Sequence, residues 1–504
     1  MLHFIVPVLL LLIFLFIYLH LKKSYSYFRR HRLPYLPASV WTPLGHLRQL
    51  LLLHISFGDL FKNIYADERI EAEKLAGFFV FQTPALILRD PEIIRLVLVK
   101  DFNRFLNRYE AADAGHDAMG ALTLPLAKYH QWRESRLCMS QLFTSGRIKQ
   151  RMYPLILEVL HDLEQHLERN MCGQAERVLP LSEMCQLYTT DVTGKLFYSW
   201  NGAGLRQNQS QLRQQAKQLF KPDLMKLLHF MSIFFLPQWT GWLRAKVFST
   251  PYARFMRQLV SQHTKSESGD DLIDHLQQLQ GRRPAKHYVH HEDFIASQAG
   301  IFLLAGFETS SALLAFTLYE LAKQPRLQQR LRQELHSAFG DSFNLSYETA
   351  VKLPYLKMVC LEALRLYPAA AFINRECTQP EGFSLRPRID FVIPCGMPAY
   401  ISILGLQRDE KYWPNPLHFN PERFAPQHIT QITPMTFIPF GAGPHGCIGS
   451  RLGLLQLKLG VAHILKTYRV EFCAQTVPEI RFNPHTFMLE SLDELYLHFC
   501  RDPL

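Results

Sequence analysis

The chain has 504 residues, 48% of them hydrophobic and 20% charged, with 36 Phe and 20 Tyr. This composition excludes a disordered chain, which would be poor in aromatic residues, and a collagen-like or low-complexity protein. The nine cysteines include no C-x-x-C spacing, so we expect neither a disulfide framework nor a cysteine-cluster zinc site, and a reducing compartment is predicted. The net charge of +11 predicts an acidic partner or an anionic membrane surface. Because the basic residues are scattered, no nucleic-acid partner is expected.

The N-terminus is a nearly unbroken apolar run from Phe4 to Leu19 that extends to Leu21, with Lys22 and Lys23 directly after it. About 18 helical residues cover roughly 27 Å, enough for a thin bilayer. Basic residues flank the run on its C-terminal side only, so the positive-inside rule leaves the body in the cytosol. A cleaved signal peptide would need a basic start and a small-residue cleavage site. We therefore expect residues 1–21 to be a signal anchor in the endoplasmic reticulum; the alternative is a buried core helix.

Residues 22–37 form a basic, proline-rich linker, and residues 38–504 are predicted to form one large domain, because no long low-complexity segment or repeat interrupts them. Helical patterns dominate this domain. The predicted elements are helices over 293–324, 326–339, 355–366 and 451–468 and strands within 391–407. The helix over 293–324 is apolar on most faces, which predicts that it crosses the core, and Pro325 ends it.

Two segments leave alternatives open. The stretch Leu219–Leu243 is rich in Leu, Phe and Trp, and it fits either ordinary core packing or a second contact with the membrane surface. The side chains expected to make that contact are Phe230, Ile233, Phe234 and Phe235. The other segment contains His287, His290 and His291. These histidines lack the H-E-x-x-H pattern of a metal site, so a solvated surface is the better interpretation.

The most informative segment runs from Phe440 to Gly449 with the sequence FGAGPHGCIG. It contains a G-x-G-x-x-G pattern, but Pro444 interrupts it and no βαβ unit surrounds it, so a dinucleotide site is not expected. Cys447 stands between glycines directly before a predicted helix. Backbone amides and the dipole at a helix start stabilise a thiolate, and small neighbours leave room for a flat macrocycle. A haem iron takes such a thiolate as its cysteine ligand.

This segment resembles the haem-binding signature of the cytochrome P450 superfamily, in which Phe, Gly, Arg or His, Cys and Gly follow at fixed spacing. Phe440, Gly443, His445, Cys447 and Gly449 fill all five positions, a chance match on the order of one in ten thousand. The resemblance implies a mainly α fold with a small β component around a buried haem b, with Cys447 as the axial ligand of its iron. It spans the chain and is closest to the animal microsomal type, in particular arthropod enzymes of the drug-metabolising clade.

Further segments match the same family in order and spacing. Glu362 and Arg365 form its E-x-x-R pair, three residues apart on one helix face. Pro421–Phe424 is its P-E-R-F segment, from which Arg423 joins the pair. The resemblance implies a structural role: a buried glutamate with two arginine partners orders the loop that carries Cys447.

The long predicted helix carries the sequence AGFETS over 305–310, which resembles the family's A-G-x-[DE]-T-T oxygen-activation motif. The resemblance implies that Gly306 permits a local opening of the helix, that the Thr309 hydroxyl hydrogen-bonds bound oxygen, and that Glu308 relays protons. Thr309 and Glu308 are therefore the predicted catalytic residues. The general alternative for a mid-helix threonine is a hydrogen bond back to its own helix.

Trp132 and Arg136 match the family's W-x-x-x-R segment and share one helix face. The resemblance implies that Arg136 meets a haem propionate and that Arg375 and His445 do the same. Arginine suits such pairing best, so His445 is a departure that is expected to make its contact weaker and pH-sensitive. Two smaller departures, away from the predicted chemistry, are Cys395 and Gln407.

The resemblance implies a monooxygenase that inserts one oxygen atom of O₂ into lipophilic small molecules, either xenobiotics such as insecticides or hormones. Its electrons would come from NADPH-cytochrome P450 reductase, with cytochrome b5 as a second candidate donor. The catalytic domain would lie on the cytosolic face of the endoplasmic reticulum membrane. The expected pocket positions form an apolar set: Phe302, Ala305, Ala370, Ala371, Phe372 and Phe487.

Two alternative functions are a haem-thiolate isomerase or dehydratase that acts on peroxides without a reductase, and a non-enzymatic haem-binding protein. Relatives of the first kind often lose the threonine or the acid of the long helix, and a protein of the second kind has no need of them. Thr309 and Glu308 are both present, which favours the monooxygenase.

Overall fold

A computed structural model describes residues 2–200, 204–207, 210–220, 223–263, 271–282, 292–340 and 345–502. Helices make up most of this part of the chain, and short strands form three small sheets. The predicted mainly α fold with a small β component is therefore confirmed. The histidine cluster over 287–291 lies outside the described residues.

The helices of the N-terminal half are α1 (Leu2–Tyr25), α2 (Tyr27–Arg30), α3 (Arg48–Leu51), α4 (Phe57–Tyr65), α5 (Pro91–Arg95), α6 (Ala118–Ala121), α7 (Tyr129–Ser140), α8 (Ser145–Arg147), α9 (Tyr153–Met171), α10 (Leu181–Tyr198), α11 (Gly204–Gln207), α12 (Gln211–Phe220) and α13 (Leu224–Phe235). Those that follow are α14 (Thr250–Ser261), α15 (Leu272–Arg282), α16 (Phe294–Lys323), α17 (Pro325–Phe339), α18 (Tyr347–Lys352), α19 (Pro354–Leu366), α20 (Ile403–Leu406) and α21 (Ser450–Thr467). The strands are β1 (Leu75–Val80), β2 (Thr83–Leu88), β3 (Glu176–Pro180), β4 (Phe372–Glu376), β5 (Phe383–Ser384), β6 (Val392–Ile393), β7 (Pro398–Ser402), β8 (Tyr468–Glu471) and β9 (Tyr496–Arg501).

The four helices predicted in the C-terminal half are confirmed to within one residue at each end. Helix α16 crosses the interior and packs against α10, α14, α19 and α21, as its apolar faces predicted. Pro325 separates α16 from α17 because it begins the second helix, where its missing N–H costs nothing. The strand prediction over 391–407 holds for β6 and β7 only. Ser402 accepts a hydrogen bond from the Gly405 amide at 3.0 Å and so begins the short helix α20.

The largest sheet has the strand order β1-β2-β7-β4. Strand β2 runs parallel to β7, with Leu86 opposite Ala399, whereas the other pairs are antiparallel. A second sheet has the order β3-β9-β8, so the C-terminal strand lies between two strands from earlier in the chain. The third sheet is the hairpin of β5 and β6.

Helix α1 projects from this body. Its span Ile5–Tyr25 has a mean hydropathy of 2.5 and its most apolar window is only 6% buried. Leu21, Tyr25 and Phe28 are buried in the cluster around β1 and β2, so the helix continues past the predicted boundary at residue 21 and its end packs on the domain. In the described part of the chain, α16 is the second helix long and apolar enough to cross a membrane, but 61% of its window is buried inside the protein.

The packing of helix α13 bears on the two alternatives that the sequence leaves open for residues 219–243. Ile233 and Phe235 are buried, with 3% and 0% exposure, so these two side chains agree with the core-packing alternative. Phe230 and Phe234 are half-buried and stack on each other, with ring centroids 4.2 Å apart. The exposed apolar side chains of this region are instead Leu224, Met225, Leu228, Trp239 and Trp242.

A buried ion pair joins α19 to the segment that leads to the Cys447 loop. Arg365 donates from Nε and Nη2 to the two carboxylate oxygens of Glu362 at 2.7 and 2.8 Å, and neither side chain is exposed. Arg423 lies 3.3 Å from the same carboxylate. Gln407 donates to the Arg365 carbonyl oxygen and accepts from the Ile438 amide, both at 3.0 Å. The predicted structural role of the E-x-x-R pair therefore extends through Gln407.

We predict that Glu362→Gln lowers the free energy of unfolding by about 3–5 kcal/mol, because it leaves the buried Arg365 cation without its counter-charge. The matched control is Glu422→Gln in the P-E-R-F segment. Glu422 pairs with Arg330 at the surface, so its loss should cost at most about 1 kcal/mol. Urea unfolding followed by circular dichroism measures both. Equal midpoints for the two variants would contradict the structural role of the buried pair.

Candidate active site

The loop before α21 has a backbone conformation that favours glycine at two positions. Gly441 and Gly443 both have a φ of +69°, a conformation that other residues adopt only with strain. A Cβ atom on Gly443 would lie 1.9 Å from the Leu98 carbonyl oxygen. The loop closes through a hydrogen bond from the Cys447 amide to the Phe440 carbonyl oxygen at 2.8 Å. Phe440 thus holds the position of Cys447 through its backbone.

The Cys447 thiol lies in a cleft. Its side chain is accessible to solvent, yet the surrounding protein desolvates the group and raises its pKa, against the lowering effects of the Gly449 amide and the Arg136 charge. The sequence predicted that the helix start would favour the thiolate, and the structure shows that burial outweighs this effect. The thiol therefore needs a cation, such as a metal ion, to ionise at neutral pH.

Basic side chains gather beside this loop. The indole of Trp132 on α7 packs on the imidazole of His445, with ring centroids 3.9 Å apart. Arg375 on β4 is buried, and its charge acts on His445 together with those of Arg108 and Arg136. The guanidinium of Arg108 donates to the His445 carbonyl oxygen at 3.4 Å. The structure thus brings the four predicted cofactor-binding side chains together and adds Arg108 to them.

This cluster fits the cofactor that the sequence implies. Trp132 Nε1, Arg375 Nε and His445 Nδ1 are buried and have no hydrogen-bond partner among the residues that the structure describes. Among the described residues, Glu110 is the carboxylate paired with the cluster, 3.9 Å from Arg108, which leaves the positive charges in excess there. Burial and the neighbouring Arg108 lower the pKa of Arg375 to about 9. The free N–H groups of Trp132 and Arg375 and the surplus cations match the two carboxylates of haem. Cys447 would hold its iron, and this cluster its propionates.

His445 differs from the arginine that the family usually has here. Its Nε2 lies 2.8 Å from the Leu106 carbonyl oxygen, and because a carbonyl only accepts, Nε2 carries the ring proton. Burial, followed by the charges of Arg108, Arg375 and Arg136, lowers the pKa of His445. The ring is therefore neutral at physiological pH and its Nδ1 has no proton to donate to a carboxylate. Its contribution as a propionate partner stays a prediction, and Arg108 can supply the missing charge.

Sequence reasoning missed Arg108 because nothing local distinguishes it. It lies in an irregular segment without helical or strand periodicity, and it completes no motif. Its side chain reaches the site only through the packing of that segment against the Cys447 loop, where it also donates to the Pro125 carbonyl oxygen at 3.0 Å. A half-buried arginine with backbone partners on two segments could be found only from the tertiary structure.

Helix α16 presents one accessible face within an otherwise buried stretch. Ala305 is exposed and Thr309 is partly exposed, whereas Phe307 and Glu308 are buried. The Thr309 hydroxyl donates to the Ala305 carbonyl oxygen at 2.6 Å, the back-bond that was the general alternative. The helix is continuous through Gly306, so the predicted local opening is not present.

Gly306 has a packing role instead. A Cβ atom at this position would lie 2.6 Å from the Thr193 hydroxyl oxygen on α10, so glycine lets the two helices approach closely. Thr189 on the same helix donates to the Phe307 carbonyl oxygen at 3.0 Å. These contacts fix the rotation of α16 and with it the face that carries Thr309.

Glu308 is buried beside this face. Burial, and to a smaller extent the neighbouring Glu490, raises the pKa of its carboxyl well above the usual value. This shift favours the protonated carboxyl, which can donate as well as accept a hydrogen bond. This state suits the predicted proton relay, which remains a prediction.

The predicted pocket residues separate into two groups. Phe372 and Phe487 contact each other, with ring centroids 5.3 Å apart, and Phe487 also packs on Phe234 at 4.5 Å. Phe302 instead packs between Phe197 and Phe143, at 5.3 and 5.7 Å. The aromatic group around Phe487 is therefore the better candidate for contact with a substrate, and Phe302 belongs to the core.

We predict that Cys447→Ser abolishes the red-shifted Soret band of the carbon monoxide complex and most haem retention, because a serine hydroxyl cannot replace the thiolate. Cys395→Ser is the matched control, since Cys395 is an exposed cysteine outside the site and its loss should leave the spectrum unchanged. The measurement is the carbon monoxide difference spectrum of each variant. A normal band in Cys447→Ser would contradict the assignment of the iron ligand.

Comparison with known proteins supports the same conclusion. The family model for cytochrome P450 matches residues 41–497. The probable cytochrome P450 6t3 of Drosophila melanogaster is 64% identical, over 96% of this chain and 96% of that protein. The probable cytochrome P450 6t1 of the same species is 39% identical, over 95% and 92%, and cytochrome P450 6k1 of Blattella germanica is 31% identical, over 91% and 90%. The predicted resemblance is confirmed: the chain belongs to the cytochrome P450 family and is a haem-thiolate monooxygenase.

Proposed function

We propose that this monooxygenase holds haem b, oxygenates lipophilic small molecules such as xenobiotics or hormones, and works on the cytosolic face of the endoplasmic reticulum. The observation that carries the substrate class is the aromatic cluster around Phe487. Phe57, Phe230, Phe234 and Phe372 all lie within 6.0 Å of its ring centroid. A lining of this kind selects apolar ligands through burial of their surface.

The chain's own residues account for substrate binding and proton supply. Haem, when bound, supplies the activation of dioxygen. The Thr309 hydroxyl can rotate from its bond with the Ala305 carbonyl oxygen toward a ligand on the accessible face of α16. Glu308, protonated next to it, can hold the proton that Thr309 passes on. Both groups lie in a site of low dielectric, where a correctly placed donor is worth more than in water.

The membrane part of the proposal rests on α1 and on a second apolar surface. Helix α1 is about 36 Å long and almost wholly exposed. Trp41 is 71% exposed, and its ring lies against Phe14 and Tyr18 of α1, at 6.3 and 5.8 Å. The exposed side chains of α13 and the turn after it, including Trp239 and Trp242, offer further apolar area. Tryptophan is typical of the membrane interface.

The reductase part of the proposal rests on charge near the Cys447 loop. Arg133 is exposed on α7, the helix that carries Trp132. Arg451 is exposed in the first turn of α21, four residues after Cys447. With a net charge of +11, this surface suits an acidic electron donor. NADPH-cytochrome P450 reductase is the proposed donor, with cytochrome b5 as a second.

We predict that Thr309→Ala uncouples the reaction. Product formation should fall by about 10²–10⁴-fold, the usual contribution of acid catalysis, while NADPH is still consumed and hydrogen peroxide accumulates. Glu308→Gln should act in the same direction, because it removes the acidic proton and keeps the shape. The measurement is product, peroxide and NADPH consumption in one assay with reductase and a lipophilic substrate.

The matched control for this test is Thr317→Ala. Thr317 makes the same back-bond on the same helix, to the Leu313 carbonyl oxygen at 2.7 Å, but it is fully buried. Its loss should change stability and leave product per NADPH unaltered. An unchanged ratio in Thr309→Ala would show that its hydroxyl serves the helix only. Turnover of a peroxide substrate without reductase would favour the isomerase or dehydratase instead.

We predict that deletion of residues 1–21 releases most of the protein from microsomes and leaves haem binding intact, because the deleted segment contributes little to the core. If the second apolar surface also contacts the bilayer, release is partial, and the added substitutions Trp239→Ser and Trp242→Ser complete it. Fractionation in high salt and the carbon monoxide spectrum provide the two measurements. A truncated chain that binds no haem would place these residues in the fold instead of the membrane.

A further inference from the structure

The sheet of β3, β9 and β8 carries a cluster of metal-ligating side chains on its outer face. Along β9, Leu497 and Phe499 point into the core and are fully buried, so the alternating residues His498 and Cys500 point outward. The register places Glu176 of β3 opposite Cys500. It places Glu471 of β8 opposite His498. Three adjacent strands thus direct a thiol, an imidazole and two carboxylates to one face.

The side chains of this cluster are close enough to share an ion. One ligand atom from each of Glu176, His498 and Cys500 lies within 4.8 Å of the other two. Cys500 Sγ is 3.7 Å from His498 Nδ1 and 4.0 Å from Glu471 Oε2. His498 Nε2 is 3.2 Å from Glu176 Oε2. The distances from Cys500 Sγ to His498 Nδ1 and to Glu471 Oε2 are close to those between neighbouring ligands of a tetrahedral zinc ion, whose bonds are about 2.0–2.3 Å long.

We propose that Cys500, His498 and Glu176, with Glu471 as the fourth ligand, form a zinc site that is separate from the haem site. The absence of a C-x-x-C spacing argues against a site of several cysteines, but a site that takes a single cysteine from a strand does not need that spacing.

The donor set selects the class of metal. One sulfur, one imidazole nitrogen and carboxylate oxygens are the ligands that zinc combines, whereas calcium and magnesium prefer oxygen alone. The charges also balance. A divalent cation with the Cys500 thiolate and two carboxylates has a net charge of −1, and Arg469, whose Nε lies 3.0 Å from Glu471 Oε1, supplies the remaining positive charge.

Access and rigidity both suit binding. The Glu176 side chain is 63% exposed and that of His498 is 26% exposed, so an ion can enter from solvent. The Glu176 carboxylate is free to turn from His498 Nε2 toward the side where Nδ1 faces the thiol. Cys500 is 7% exposed and fixed in the central strand. A bound zinc would link the C-terminal strand to both neighbouring strands and so hold the end of the chain in place.

The test uses the full-length, haem-loaded protein purified without a polyhistidine tag and dialysed against buffered zinc. Elemental analysis should find one zinc per chain more in the native protein than in Cys500→Ser. His498→Ala and Glu176→Gln should weaken zinc binding at least about tenfold. X-ray absorption at the zinc edge should show one sulfur at about 2.3 Å and nitrogen or oxygen at about 2.0–2.1 Å.

The matched control is Cys172→Ser, since Cys172 is an exposed thiol in the segment before β3 and its loss should leave the zinc content unchanged. Equal zinc in the native protein and Cys500→Ser, or a zinc spectrum without sulfur, would overturn the proposal. The carbon monoxide spectrum of each sample reports folding and haem loading independently. If Cys500→Ser loses the carbon monoxide spectrum, its zinc content does not test the site. The zinc affinity of Glu176→Gln then tests the proposal, because the exposed Glu176 side chain is not needed for the fold.

Discussion

The buried ion pair of Glu362 and Arg365 is the constraint on which the geometry of the active site depends. Neither side chain is exposed, and removing two charges from water costs several kcal/mol for each ion. The bidentate contact, the Asn420 amide on Glu362 and the Gln407 carbonyl on Arg365 offset this cost. Gln407 then fixes the Ile438 amide through its side chain. The start of the Cys447 loop is therefore held in place by the ion pair, because moving either charge would leave the other buried without its partner.

On the other side of the Cys447 loop, the described side chains carry an excess of positive charge. Arg108, Arg136 and Arg375 lie near one another with Glu110 as a neighbouring anion, and burial raises the pKa of the Cys447 thiol. Such a site is complete only with a ligand that brings a metal ion and carboxylates together. Because this ligand binds the folded state alone, its binding free energy adds to the stability of the fold. Folding and cofactor loading are thus linked.

The sequence predicted the features that depend on residues close to one another in the chain. The bounds of α16, α17, α19 and α21 follow from apolar periodicity and from Pro325, and Cys447 follows from a loop whose glycines have positive φ. The features that the sequence missed or left open depend on the tertiary structure. Arg108 reaches the site from an irregular segment, and burial raises the Cys447 pKa against its helix start. Ile233 and Phe235 are apolar like their exposed neighbours, and only packing decides which of them face inward.

Helix α16 shows why the proposed catalytic residue Thr309 cannot be identified by its own hydrogen bonds. Thr309 and Thr317 both donate to the carbonyl oxygen four residues earlier, so the bond itself is the same. What differs is the surroundings: Thr317 faces packed side chains, whereas Thr309 lies on an accessible face beside the protonated carboxyl of Glu308. A hydroxyl that can exchange its partner is useful for moving a proton. A core helix acquires that ability where packing leaves one turn of it uncovered.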